Sequence, residues 1–97
     1  MASARELLND KRDEILRLAV LHGAGNVRVF GSVARGEDRD DSDIDLLVMM
    51  EDGRSLFDLV RFWTGVSTLL EREVDVVDEG SLSPYIKDRV LTDARVL

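Results

Sequence analysis

Apolar residues recur at Ala4, Leu7, Leu8, Ile15, Leu18 and Ala19, a helical spacing that opens on Ser3-Ala4-Arg5-Glu6 and stops at Gly23 and Gly25. A serine three residues ahead of a glutamate forms a capping box, so the pattern predicts a helix over 4–22. Val27-Arg28-Val29-Phe30 is short, rich in β-branched residues and bounded by glycines; Ile44-Asp45-Leu46-Leu47-Val48-Met49 is a longer apolar run after a polar loop. Both read as strands. Between them a short helical turn is expected at Val33-Ala34-Arg35, ended by Gly36. Ser55-Leu56-Phe57-Asp58 opens a second capping pattern, and Leu56, Leu59, Val60, Trp63, Val66 and Leu70 repeat at helical spacing, predicting a helix over 56–71 with these residues as its core stripe. Phe57, Phe62 and Leu69 fall partly off that stripe and hint at a second apolar face, suited to a partner. Glu73-Val74-Asp75-Val76-Val77 reads as a third strand. Ser83 followed by Pro84 starts a short helix over 84–91, and Arg95-Val96-Leu97 a brief edge strand.

Strands alternating with helices, with room for about three to four strands, predict a small α/β fold: a mixed sheet backed by helices on one face. At 97 residues, with 44% hydrophobic and 34% charged positions, residues 1–97 are expected to form one domain around one core. No apolar run approaches the roughly 18–20 residues of a membrane span, and the N-terminus lacks a signal-peptide pattern, so a cytoplasmic location is expected. The absence of cysteine excludes disulfides, thiolate metal sites and a cysteine nucleophile.

The net charge of −7 argues against an extended nucleic-acid surface. Its distribution says more. Glu37, Asp38, Asp40, Asp41, Asp43, Asp45, Glu51 and Asp52 face only Arg39 within residues 37–52, so this window alone carries −7 and the remainder balances. A positive counterpart is expected there.

Two chemical devices meet in this region. Gly31-Ser32 follows a strand and precedes a helical turn, an arrangement whose backbone N–H groups and serine hydroxyl can hold phosphate; Gly31 allows close approach and Arg35 can add a charge-assisted contact or pair with a loop acid. Asp43 and Asp45 stand two apart at a strand start, on one face and roughly 6–7 Å apart at Cα. Two carboxylates about 5 Å apart repel by roughly 3 kcal/mol at an effective dielectric near 20, so a cation belongs between them, and oxygen ligands favour Mg²⁺. Asp75 lies within an otherwise apolar strand, where a charge needs a reason, and a neighbouring strand can bring it beside the other two. Three carboxylates, two divalent ions and a phosphate cradle compose a phosphoryl or nucleotidyl transfer site.

Gly31-Ser32, ten intervening residues, Asp43-x-Asp45 and a later strand aspartate resemble the polymerase-β-type nucleotidyltransferase superfamily. Gly-Ser-x-Ala-Arg-Gly followed by Ser-Asp-Ile-Asp-Leu resembles its minimal branch, the MNT-domain proteins, over nearly the whole chain. The resemblance implies that Gly31 and Ser32 bind the triphosphate of a nucleotide, that Asp43 and Asp45 hold two Mg²⁺ ions, and that Asp75 completes the metal site and activates the acceptor hydroxyl. It further implies an antitoxin paired with a HEPN-type ribonuclease toxin, modifying a toxin tyrosine with AMP from ATP in a hetero-oligomer. Larger members of the superfamily carry further helical domains that grip the acceptor; here another polypeptide is expected to present it. The rival reading is an antitoxin that blocks its toxin by contact through the acidic segment, without catalysis.

The remaining polar and aromatic residues read more plainly. Asp38, Asp40 and Asp41 are expected to be solvated, with Ser42 capping the loop. His22 is expected at the surface near a helix end, Trp63 in the core or an interface, and Tyr85 in packing at a helix start rather than as a self-modified acceptor.

Overall fold

The computed structural model describes residues 3–37 and 43–97. In chain order its elements are α1 (Ala4–His22), β1 (Ala24–Phe30), α2 (Gly31–Arg35), β2 (Ile44–Met50), α3 (Leu56–Leu70), β3 (Val74–Asp78), a 3-10 turn (Glu79–Ser81), α4 (Pro84–Asp93) and β4 (Arg95–Val96). The four strands form one mixed sheet in the order β3-β2-β1-β4. β1 pairs antiparallel with β2 and with β4, while β2 pairs parallel with β3. The mixed sheet backed by helices is the predicted fold class.

Local chemistry sets the element ends. Ser3 Oγ accepts from the Glu6 N–H at 3.1 Å, and α1 stops at Gly23, whose left-handed backbone (φ 73°) lets its N–H reach the carbonyls of Ala19 and Val20. α3 opens with the Ser55 N–H donating to Asp58 Oδ2 at 2.9 Å, which holds the Asp58 carboxyl below the usual carboxylate range. β1 begins three residues ahead of the expected Val27, because the ladder accommodates an irregularity between Gly25 and Arg28, with Asn26 at φ 47°. The helical turn likewise starts earlier than Val33, at Gly31, and β3 and α4 end one and two residues beyond the predicted limits.

Strand alternation separates two faces. Val27 and Val29, Ile44, Leu46 and Val48, and Val74 and Val76 face the helices, where they pack with Ile15, Ala19, Phe62, Val66 and Leu70. Phe62 is fully buried, whereas Leu56 and Val60 are 73% and 46% exposed. The core stripe of α3 is therefore Leu59, Phe62, Trp63, Val66, Leu69 and Leu70, rotated from the predicted one. The rotation follows from where the helix leans: the Trp63 indole N–H donates to the Val74 carbonyl at the start of β3, and Leu18 of α1 lies against Gly65. Tyr85 is 92% exposed, so the expected packing role fails; its backbone N–H donates to Ser83 Oγ at the helix cap. Among the described residues no helix is long and apolar enough to cross a membrane.

Candidate functional site

The face of the sheet turned away from the core carries the candidate chemistry. Ladder register places Phe30, the residue before Gly31, opposite Asp45, and Asp45 opposite Asp75. A single rung across β1, β2 and β3 thus gathers the end of the glycine-serine turn and two of the three predicted aspartates. Asp43 immediately precedes β2 and is exposed, as is Asp75, whereas Asp45 between them is half-buried. The apolar strand that surrounds Asp75 in sequence does not bury it, because alternation sends Val74 and Val76 to the core and Asp75 to the opposite face.

Gly31 is pressed against this rung. Its φ is 74°, and a Cβ built on it would lie 2.3 Å from Asp45 Oδ2, closer than any real contact. Only glycine tolerates both the left-handed backbone and the neighbouring carboxylate. Ser32 follows, half-buried, in the first turn of α2.

The electrostatics of Asp45 identify an unbalanced site. Burial raises its pKa above the usual carboxylate range, the negative charges of Asp75 and Asp43 raise it further, and Arg35 works in the opposite direction. Arg35 itself is committed elsewhere: its Nε donates to Glu37 Oε2 at 2.9 Å and its Nη1 to Asp93 Oδ2 at 2.7 Å. Its pairing with a loop acid was one of two readings open from the sequence. Asp93 lies 58 residues away on α4, and nothing local in the sequence marks it. Asp38, Asp40, Asp41 and Ser42 lie outside the described residues. His22, half-buried at the end of α1, precedes β1, and Gly31 stands at the opposite end of that strand.

Among the described residues no three acidic or histidine side chains are already drawn together into a metal-binding cluster. The three aspartates instead share one end and one face of the sheet, all oxygen donors, with the middle one short of compensating charge. That donor chemistry fits a hard divalent cation, which would draw the carboxylates together.

Comparisons with known proteins give the family of the fold. The family model described as Polymerase beta, Nucleotidyltransferase matches residues 11–97. A candidate protein adenylyltransferase of Methanocaldococcus jannaschii is 40% identical over 87 residues, covering 90% of this chain and 94% of the relative. The protein adenylyltransferase MntA of Thermococcus cleftensis is 38% identical over 71 residues, 73% of this chain and 72% of that protein. Among solved structures, a candidate minimal nucleotidyltransferase matches with a TM-score of 0.86 and 49% identity, over 95% of this chain and 94% of that chain. A chain of the crystal structure of a mutant toxin–antitoxin MntA–HpeT matches with a TM-score of 0.73 and 25% identity, over 89% of this chain and 70% of that one. The sheet register, the glycine against Asp45 and these likenesses converge: the chain belongs to the polymerase-β-type nucleotidyltransferase family.

Proposed function

We propose that this chain transfers AMP from ATP to a hydroxyl group of a partner protein, a HEPN-type toxin whose acceptor is a tyrosine, and that it thereby acts as an antitoxin. The observation that carries the reading is the rung that sets Asp45 opposite Asp75, two residues after Asp43 and in contact distance of Gly31. Support for the acceptor class comes from relatives named as protein adenylyltransferases and from the toxin–antitoxin assembly among the structural likenesses.

In this reading Gly31 and Ser32 receive the triphosphate: the missing Cβ leaves the backbone accessible, and the Ser32 hydroxyl offers a donor to a phosphate oxygen. Asp43, Asp45 and Asp75 would hold two Mg²⁺ ions. When bound, the ions would favour ionisation of the attacking hydroxyl and offset the charge of the departing pyrophosphate. The acceptor oxygen forms a bond to the α-phosphorus, the bond from that phosphorus to the bridging oxygen breaks, and pyrophosphate leaves. Asp75 takes the hydroxyl proton from an acceptor that arrives from outside the chain, a role supported by its exposure on the edge strand. Arg35 reaches a phosphate by exchanging one of its two carboxylate partners.

The test is to incubate the protein, and an Asp43→Asn/Asp45→Asn variant, with Mg²⁺, ATP and the protein encoded by the neighbouring gene, and to weigh each polypeptide. One or more added AMP masses on the partner, absent with the variant, is the expected result. The concentration of −7 within residues 37–52 supports a second reading, neutralisation by contact with a basic toxin surface. Under it the double variant neutralises as well as the wild type and no mass is gained.

A further inference from the structure

The rung that carries Asp45 and Asp75 has a neighbour on the same face. Two residues along each strand, Arg28 of β1 stands opposite Leu47 of β2, and Leu47 opposite Val77 of β3. Leu47 is fully buried although it lies outside the cluster on the helix side. The 3-10 turn that follows β3 packs against β2, and the Arg28 guanidinium (Nη2) donates to Glu79 Oε1 in that turn. Both partners are only 15% exposed at the side chain, which makes this the most enclosed ion pair among the described residues.

Its connectivity is unusual for the sheet. β1 and β3 share no ladder, because β2 lies between them. β3 is also an edge strand, held by its ladder to β2 alone, and it bears Asp75. Arg28–Glu79 is a cross-brace that passes over Leu47 and ties the exit of β3 directly to β1, the strand that ends at Gly31. The turn that presents Glu79 is itself fixed, since Asp78 Oδ1 accepts from the N–H groups of Gly80 at 3.2 Å and Met50 at 3.4 Å. At the other end of β3 the Trp63 indole holds the Val74 carbonyl. The short strand carrying Asp75 is therefore secured at both ends, and the Arg28–Glu79 pair ties its exit directly to the strand of the glycine-serine turn.

We infer that Arg28 and Glu79 are positioning residues that set Asp75 against Asp45 for divalent-cation binding. The inference rests on the metal reading of the aspartates. Removing either partner frees the outer strand to shift and leaves the other charge enclosed without its counterion. Groups that hydrogen-bond a metal ligand change metal affinity by about 10–100-fold when altered; Arg28 and Glu79 act one step further out, on the strand that carries Asp75, so the lower end of that range applies.

The experiment measures Mn²⁺ affinity of the metal-free full chain by electron paramagnetic resonance, well below the melting temperature, so that a loss of stability alone does not register. Glu79→Gln and Arg28→Met are each expected to weaken Mn²⁺ binding about tenfold. Arg28→Lys, which keeps the charge, should recover most of the loss, and the Arg28→Met/Glu79→Gln double variant should be no weaker than the worse single one. Arg54→Met, which breaks ion pairs with Glu51 and Asp58 beyond the end of β2 opposite to Asp45, should bind as the wild type does. If Arg28→Met fails to fold, Glu79→Gln decides, because it preserves shape and an accepting oxygen. Unchanged Mn²⁺ affinity in Glu79→Gln, with binding lost in Asp45→Asn, overturns the inference and leaves the metal reading intact. A wild type that binds no Mn²⁺, or an Asp45→Asn variant that binds as tightly, overturns both.

Discussion

The Cα of Gly31 and the carboxylate of Asp45 are so close that a methyl group on Gly31 would fall 2.3 Å from Asp45 Oδ2. Gly36, five residues on, has nearly the same backbone angle (φ 72° against 74°) but open space where its Cβ would be. The two glycines separate backbone strain from contact with the site. Alanine in a left-handed backbone costs roughly 1–2 kcal/mol at either position. Gly36→Ala should therefore lose that stability and retain transfer activity. Gly31→Ala should lose at least as much and, by displacing the Asp45 carboxylate, abolish transfer. Urea titrations paired with nucleotidylation assays check this; equal activity in the two variants would show that the contact has no catalytic consequence.

Asp45 also gives the metal-free protein a distinctive pH dependence. Burial first, then Asp75 and Asp43, raise its pKa in the folded chain. A raised folded-state pKa means that the native protein binds the proton more tightly than the unfolded chain does. The resulting stability is fully present below the unfolded carboxylate pKa of about 4 and is lost as pH rises through the raised value. At neutral pH the ionised group is thus a burden. In EDTA, Asp45→Asn should melt a few degrees above the wild type at pH 7.5, and the difference should vanish near pH 4. Mg²⁺ with nucleotide should shrink or reverse it, since ligand binding stabilises only the chain that retains the site. A lower melting temperature for Asp45→Asn in EDTA at pH 7.5 would contradict an electrostatically strained site.

The parts of this site that were legible in the sequence are those fixed by local pattern. Gly31-Ser32 after a β-branched run, the Asp43-x-Asp45 spacing at a strand start, and one aspartate inside Glu73–Val77 each state their surroundings within a few residues. Strand alternation then suffices to put Asp45 and Asp75 on one face, once β2 and β3 are neighbours. What could not be read depends on distant partners. The Arg35–Asp93 and Arg28–Glu79 pairs span 58 and 51 residues and follow from how α4 and the 3-10 turn close back on the sheet. The phase of α3 was ambiguous for a related reason: Leu56-Leu59-Val60-Trp63 and Leu59-Phe62-Trp63-Val66 both satisfy helical spacing, and only the tilt that brings Trp63 to the Val74 carbonyl selects the second. Tyr85 reads as a packing residue because aromatic residues usually bury area, but the first turn of α4 leaves Tyr85 92% and Ile86 48% exposed.

That phase makes two phenylalanines on one helix sharply unequal. Phe62 is fully buried and Phe57 is 71% exposed. Phe62→Ala should cost about 3–5 kcal/mol, through lost burial and the cavity left behind, a large share of the stability of a chain of this size. Phe57→Ala should stay within about 0.5 kcal/mol of the wild type. Denaturant midpoints for the two variants test the assignment, and comparable losses would mean that Phe57 is covered in solution.

The competition for Arg35 yields the last test. Its guanidinium is shared between Glu37 and Asp93, yet it follows the glycine-serine turn and its charge favours the ionised form of Asp45. If Arg35 contacts phosphate, each carboxylate is a rival for the same N–H groups. Asp93→Asn, which lowers the competing charge while preserving shape, should then tighten nucleotide binding, whereas Arg35→Gln should weaken it about tenfold, the effect of losing one charge-assisted hydrogen bond. The opposite signs matter. If Arg35 only ties α2 to α4, both substitutions break the same tie and nucleotide affinity should fall, or stay unchanged, in both. Titration with a non-hydrolysable ATP analogue in Mg²⁺ distinguishes the cases, and a weaker Asp93→Asn variant would assign Arg35 to the scaffold rather than to the phosphate.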